Sequence, residues 1–535
     1  MKLQKISLCD FRAFPGPGEY VFDFGKKPHM LIYGENGSGK TSVFKALLEF
    51  FDLRADAVPF TDCKNYFSDA AENSSLICGK VGLTFREEPP PPPPQSKDVE
   101  KVWSFVPVGR ADNRQRGDAT VTEVSRRKGL LDYQALLKAN LSETDRFGRT
   151  GRPNLFQLFV EQLLGDLEVV QPQGTPTTVG NLWNGFQKTA KSNQYFRGDA
   201  LARVERSQAA FNDGMMQVLP ALKQRADKLL SDYFQHPVEL TFVYTGAVFQ
   251  RHRKPGSRTV DDGKLFFDLT FRGRSFTKYE EVLNEAKLTA VALCVYFAAL
   301  LDGIPKGVSG YPRLLVLDDV LIGLDMQNRL PVLNLLRDEF SAAGWQIILL
   351  THDKVWYDYA THAAMGLDWA CHELYADCAP DGAGSWHDLP LLRTANQGAG
   401  DYLQRAKEQM RLHDHKAAGM YARGAYELAL KRFCDKRHLP MPFHIDANKI
   451  SSERFFKAAK EDINDPNRQV SGVATPVQVA DLAAINSTFT DIELHRKQVL
   501  NPMSHAPVVP LTGIEVQAAI DSVEKLIDGL KLVPK

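Results

Sequence analysis

The sequence predicts an α/β fold: a core of parallel strands, divided by a largely helical insertion and followed by an all-α domain. Three observations predict it. An apolar run at His29–Tyr33 leads into Gly34-Glu35-Asn36-Gly37-Ser38-Gly39-Lys40-Thr41 and then into a helical pattern. Two further short apolar runs, Arg313–Asp319 and Gln346–Thr351, lie one helix length apart and end in carboxylates and in His352-Asp353. Beyond about residue 400 the apolar spacing is helical throughout.

Composition narrows the class of protein. The 535 residues are enough for several domains and a large buried core. Lys+Arg and Asp+Glu are balanced at 65 each, so any nucleic-acid contact must come from local patches. The seven cysteines, Cys9, Cys63, Cys78, Cys294, Cys371, Cys378 and Cys434, are scattered without zinc-ligand spacing and read as reduced thiols. With no signal-like start and no long apolar run, the expectation is a cytoplasmic protein with no membrane association.

Taken in order, Lys2–Phe14 alternates apolar residues and reads as a first strand. Tyr20–Phe24, after Pro-Gly-Pro-Gly, reads as its hairpin partner. The strand, glycine-rich loop and helix that follow form a phosphate-binding loop. Its glycines turn backbone N–H groups toward a polyphosphate, and the helix N-terminus adds positive potential. The expected nucleotide contacts are Gly34, Asn36, Gly37, Ser38, Gly39, Lys40, Thr41 and Ser42, with Lys40 on the β- and γ-phosphates. ATP is the expected ligand, and Thr41 an expected ligand of Mg²⁺. Gly79–Phe85 reads as another strand, and the six prolines Pro89–Pro94 as an extended loop. From Trp103 to about Gln235 the pattern is largely helical, and strands return at Val238–Phe249 and Lys264–Phe271.

Arg313–Asp319 fits a buried parallel strand whose C-terminal end points at the nucleotide. Asp318 is expected to hold Mg²⁺, and Asp319 to act as the general base on the attacking water. Gln346–Thr351 completes a βαβ unit, and the helix opened by Leu283-Asn284-Glu285-Ala286-Lys287 precedes the first of these strands. Asn284 is also readable as nothing more than that helix's N-cap.

The opening I-x-L-x-x-F-R-x-F followed by GENGSGKTS resembles the RecF/SMC-like branch of the ABC-type ATPases, over residues 1–85 and 265–375. More narrowly, LNEAKLTA, LLVLDDVLIGLD and LLTHD resemble the ATPases of bacterial anti-phage systems, those of the Septu type found also beside retrons. The resemblance implies a switch role for His352 at the γ-phosphate, a D-loop at Gly323-Leu324-Asp325, and a signature helix beginning at Asn284. Asn284 and Asp325 thereby join the expected nucleotide-binding set. It also implies an ATP-sandwich homodimer. The usual Ser-Gly-Gly of the signature is Asn284-Glu285-Ala286 here.

The expected domains are 1–85 and 264–395 for the two halves of the ATPase core, 86–263 for the insertion, and 396–535 for the helical C-terminal domain. His413, His415, Arg423, His495, Arg496, Asn501 and His505 invite comparison with HEPN-type ribonucleases. Eight residues separate Arg496 from His505, outside the spacing of that family, so a HEPN-like scaffold that binds a partner or a second copy is the preferred reading. Nucleic-acid contact is expected, if anywhere, through Arg110, Arg114, Arg116, Arg126, Arg127 and Lys128, and through Arg251, Arg253, Lys254 and Arg258. The expected function is an ATPase subunit of an anti-phage complex that regulates an effector nuclease in trans, an HNH-type enzyme being one candidate. A RecF-like repair ATPase that clamps DNA is the alternative. A transporter ATPase is disfavoured by the split core and the altered signature.

Overall fold

A computed structural model describes residues 1–16, 18–54, 57–65, 79–87, 97–105, 113–126, 128–133, 143–144, 150–151, 155–156, 159–160, 164–165, 167–171, 174, 176–191, 199–252, 254, 258–276, 283–303, 310–361, 368–380, 386–394, 398–441, 451–464, 479–502 and 512–533. The proline run Pro89–Pro94, Arg110, Arg127, Arg253 and His505 lie outside these residues. The chain divides into two compact units, Met1–Thr394 and Ala395–Lys535.

Two sheets of the first unit position the site. Strands β1 (Lys2–Cys9), β2 (Tyr20–Asp23), β4 (Lys80–Glu87) and β5 (Lys97–Ser104) form an antiparallel sheet in the order β2-β1-β4-β5. The second sheet takes β3 (His29–Gly34), β6 (Lys128–Asp132), β10 (Arg313–Asp318), β11 (Trp345–Thr351), β12 (Trp369–Pro380) and β13 (Trp386–Thr394). Its order is β13-β12-β3-β11-β10-β6, parallel throughout except for the hairpin β12-β13. Strands β3 and β11 are buried at every residue, and β10 at all but its first, as uninterrupted apolar runs require.

Helix α1 (Lys40–Phe50) shares one core with both sheets: Val43, Phe44 and Leu47 are buried in a cluster with Leu3, Ile6, Phe14, Phe22, Met30, Ile32, Val316 and Ile348. Each such burial contributes about 1.5–3 kcal/mol. Gln346 fastens the sheets together. Its side chain accepts from the Leu3 N–H at 2.7 Å and donates to the carbonyls of Leu3 (3.1 Å) and Pro28 (3.2 Å).

The structure departs from the sequence reading at both ends of the first core segment. The first strand stops at Cys9 instead of running to Phe14, because Asp10 (φ 47°) and Arg12 (φ 48°) are left-handed. Phe11 and Phe14 exchange backbone hydrogen bonds of 2.9 Å to close a tight turn. The larger departure lies in the segment read as helical insertion. Trp103 belongs to β5, helix α2 (Ala119–Arg126) follows, and Lys128–Asp132 is β6, the strand paired with β10. The expected helix through Leu130-Leu131-Asp132 is therefore a core strand. A Cβ on Gly129 would collide with the side chains of Leu300 and Leu315, so glycine lets this strand lie close against them.

Between β6 and the return to the core sheet lie α3 (Val179–Lys191), α4 (Asp199–Leu229) with a π-helical end at Leu230–Phe234, and an antiparallel sheet of β7 (Val238–Thr245), β8 (Lys264–Phe271) and β9 (Arg274–Phe276). Helix α5 (Glu285–Asp302) then precedes β10, α6 (Met326–Leu335) links β10 to β11, and α7 (Lys354–Tyr359) follows β11. Among the described residues no helix is long and apolar enough to cross a membrane.

The second unit is helical where described: α8 (Ala399–Arg411), α9 (His415–Lys436), α10 (Ser452–Asn464), α11 (Val479–His495) with a π-helical end at Arg496–Leu500, and α12 (Gly513–Leu532). They enclose their own core, which includes Leu403, Tyr426, Phe456, Phe489, Ile520 and Leu526. Thr512 and Glu515 form a capping box at the start of α12, where Glu515 meets the Thr512 N–H at 2.7 Å.

Candidate active site

The phosphate loop leaves β3 at the centre of the parallel sheet. Gly37 (φ 85°) and Gly39 (φ 96°) hold conformations that side chains resist, and a Cβ on Gly39 would meet Ala13 and Phe14. No side chain caps α1, whose N-cap is Gly39, so the first N–H groups of the helix are left for an anion. Asn36 and Thr41 are exposed at the mouth, while Ser38 and Lys40 are buried beneath it. The Ser42 hydroxyl accepts from the Ala13 N–H at 3.4 Å, which joins the Phe11–Phe14 turn to the loop.

Three strand ends converge on this loop. Asp319 follows β10 in a left-handed conformation (φ 56°) and donates its N–H to the Leu350 carbonyl at 3.0 Å. That turn aims its carboxylate between two partners. Oδ2 lies 2.5 Å from Lys40 Nζ, and Oδ1 lies 2.9 Å from both the backbone N–H and Nδ1 of His352. The expected base, switch histidine and phosphate-loop lysine are thus in direct contact. Asp319 and a polyphosphate would thus compete for the same Lys40 ammonium.

Asp318 is buried beside them. Burial pushes its carboxyl up to about 6, Lys40 pulls it down, Asp319 pushes it up, and Thr41 hydrogen-bonds to it. Oδ1 is left without a hydrogen-bond partner. A buried carboxylate oxygen lacking a partner beside a threonine hydroxyl fits a hard, oxygen-seeking cation such as Mg²⁺. The raised carboxyl makes a testable statement about stability. Because the folded-state value lies above the ordinary one, ionised Asp318 costs stability; the cost is absent below about pH 4 and complete above about pH 6. The full shift corresponds to about 2–3 kcal/mol. Asp318→Asn should therefore raise the melting temperature of the nucleotide-free protein near pH 7.5, with the advantage shrinking toward about pH 5. A calorimetric comparison at the two pH values checks this.

Asn284 and Asp325 are helix caps. Asn284 Oδ1 accepts from the Lys287 N–H at 3.0 Å, and Asp325 Oδ1 accepts from the Asn328 N–H at 2.9 Å. Asp325 also accepts from Asn328 Nδ2 at 2.9 Å.

Two site residues escaped the sequence reading. Asp132 ends β6 directly across from Asp318, and its Oδ2 lies 3.9 Å from Lys45 Nζ. The signal was present, since Leu130-Leu131-Asp132 repeats on a smaller scale the apolar-then-acid pattern of β10. Arg329, in the first turns of α6, donates through Nε to the Leu324 carbonyl (2.9 Å) and through Nη1 to Asp353 (2.5 Å). No sequence signal marked it.

The basic residues proposed for nucleic acid are partly spent within the fold. Arg114 stacks 4.3 Å from the Trp103 ring centroid and is buried. Arg116 donates to the Arg54 carbonyl, Arg126 pairs with Glu123, and Lys128 Nζ serves Phe51 and Ser125. Arg251 and Lys254 remain exposed, and Arg258 donates to the His252 carbonyl. In the second unit Arg496 is buried, paired with Glu453 at 2.5 Å and 5.0 Å from the Phe456 ring centroid. His495 Nδ1 meets Ser522 Oγ at 2.7 Å, and Arg423 pairs with Glu427 at 2.9 Å. His413 is exposed, His415 is half-buried, and Asn501 ends the π-helical turn.

Residues 5–52, which span β1 through α1, match the AAA domain family. Among solved structures, the SMC head domain from Thermotoga maritima is similar at 14% identity over 74% of this chain and 100% of its own, with a TM-score of 0.31. The ATP-bound recombination mediator protein RecF of the RecFOR pathway is similar at 14% identity over 72% of this chain and 97% of its own, with a TM-score of 0.39. A dimeric bacterial ABC transporter cassette follows at 11% identity, 69% and 93% coverage, and a TM-score of 0.23. No curated protein matches the sequence.

Proposed function

We propose that this chain binds and hydrolyses ATP, pairs with a second copy around two nucleotides, and thereby regulates a separately encoded effector nuclease, as the Septu ATPases of anti-phage defence do. The observation that carries the catalytic part is the contact of Lys40, Asp319 and His352 at the C-terminal ends of three parallel strands. The AAA-domain match over residues 5–52 supports nucleotide binding.

The chemistry follows from these side chains. ATP draws Lys40 onto its phosphates and frees Asp319 Oδ2. Asp319 then orients a water and takes its proton as the water oxygen attacks the γ-phosphorus, and the bond to the β-phosphate oxygen breaks to release ADP and phosphate. His352 stays within reach of Asp319 and of the γ-phosphate. Mg²⁺ held by Thr41 and Asp318 supplies neutralisation of the phosphate charge. The N-terminus of α5 at Asn284 and the Gly323–Asp325 loop are the surfaces assigned to the partner copy. The second unit has its own core and is assigned to effector docking, with its histidines and arginines in structural roles.

The defence reading is tested by the neighbouring gene and its product. An HNH-type nuclease or a reverse transcriptase encoded beside this chain, whose product co-purifies with it and loses the association when residues 395–535 are deleted, is the expected result. Recombination genes in that position, with DNA binding by the ATP-loaded chain, would replace it with a repair function.

A further inference from the structure

The reacting groups of the site sit on two loops that leave a shared sheet. Strands β10 and β11 are paired in register up to Asp318 and Leu350. Beyond that point the chain carrying Asp319 turns toward Asp325, and the chain carrying His352 turns into α7. Asp319 bridges the two loops through its bonds to Leu350 and His352. Those bonds use the carboxylate that catalysis must release and reposition, so the loops need another fastening if His352 is to stay in place while Asp319 works.

Arg329 supplies one. Its Nε–H donates to the Leu324 carbonyl at 2.9 Å, on the first loop, and its Nη1 donates to Asp353 Oδ2 at 2.5 Å, on the second. Its side chain is 13% exposed and that of Asp353 33%, so the pair is partly shielded from the screening that weakens surface bridges. Asp353 is itself fixed, since Oδ1 accepts from the Trp356 N–H at 3.0 Å and so caps α7. The adjacent Asn328 holds Asp325 through two bonds and meets His236 Nε2, at the end of the long helical arm, at 3.3 Å. A planar guanidinium with separately directed N–H groups makes both of the Arg329 bonds at once, which a lysine ammonium on a flexible stem does not reproduce.

We propose that Arg329 is a positioning residue for ATP hydrolysis: by clamping the Leu324 loop to Asp353 it holds His352 and Asp319 in register while the carboxylate changes partners. The inference rests on the ATPase reading above and adds to it a residue that acts through Leu324 and Asp353.

Steady-state ATP hydrolysis by the full-length chain tests it, with Arg329→Ala, Arg329→Lys, Asp353→Asn and the double variant Arg329→Ala/Asp353→Asn. Asparagine retains the cap on α7, so Asp353→Asn removes the charge pair while leaving the helix start intact. Each of Arg329→Ala and Asp353→Asn should lower kcat about tenfold or more with KM for ATP within about twofold, as loss of orientation does. The double variant should be no worse than the singles, because one link is being cut twice. Arg329→Lys should fall between wild type and Arg329→Ala. Wild-type kcat in Asp353→Asn, multiplicative loss in the double variant, or a raised KM with unchanged kcat would overturn the clamp and leave the ATPase reading standing. A wild-type chain that does not hydrolyse ATP would overturn both.

Discussion

Asp319→Asn should slow turnover by about 10²-fold or more and leave ATP bound. Asp319 is the residue proposed as general base, and loss of such a base typically costs about 10²–10⁴-fold in rate. Binding should not suffer, because Asp319 Oδ2 pairs with Lys40 Nζ at 2.5 Å and so competes with ATP for that ammonium. The amide still accepts from the His352 N–H but forms no ion pair with Lys40, so ATP affinity should equal or exceed that of the wild type. Phosphate-release kinetics together with equilibrium nucleotide titration measure both halves. Equal hydrolysis by wild type and Asp319→Asn would remove Asp319 from the role of base.

Lys40→Ala abolishes binding itself. A charge-assisted hydrogen bond is worth about 1.5–3 kcal/mol, and Lys40 is proposed to serve two phosphates, so affinity should fall by about two orders of magnitude or more. The loss has a second consequence within the fold. Lys40 also pulls down the buried Asp318 carboxyl, so its removal leaves Asp318 and Asp319 facing each other without that cation. Lys40→Ala should therefore be less stable than wild type near neutral pH and regain part of the difference in mild acid, where Asp318 is protonated. Titration with a fluorescent ATP analogue and melting curves at two pH values check the two statements.

Much of the site could be read from the chain because its parts are local and chemically constrained. A loop that must expose backbone N–H groups needs glycines, and Gly37 and Gly39 do hold positive φ. A strand buried on both faces needs an unbroken apolar run, and β10 and β11 are such runs ending in the residues that meet. The misreadings arose where local pattern and long-range pairing disagree. Leu130-Leu131-Asp132 is too short to distinguish a strand from the start of a helix, and its fate is decided by pairing with β10, nearly two hundred residues later. Trp103 was assigned to a helical region although it sits in β5, where its ring packs against Phe11 and Phe60. The basic segment looked free for nucleic acid because charge is visible in sequence and its partners are not. Arg114 on Trp103 and Lys128 on Phe51 and Ser125 are contacts that only the folded chain creates. Arg329 was invisible for the same reason, since both of its acceptors lie on loops whose proximity is a product of the sheet order.

The central claim is that ATP is bound by one chain and completed by a second. Sedimentation of the Asp319→Asn protein, with and without ATP and Mg²⁺, tests it most directly, because a site that binds without turning over holds the assembly in its loaded state. The account predicts a nucleotide-free species of the single-chain mass, 59.8 kDa, that shifts to twice that mass when ATP is added, with no shift in Lys40→Ala/Asp319→Asn. A species that binds ATP and keeps the same mass at saturating nucleotide would contradict it.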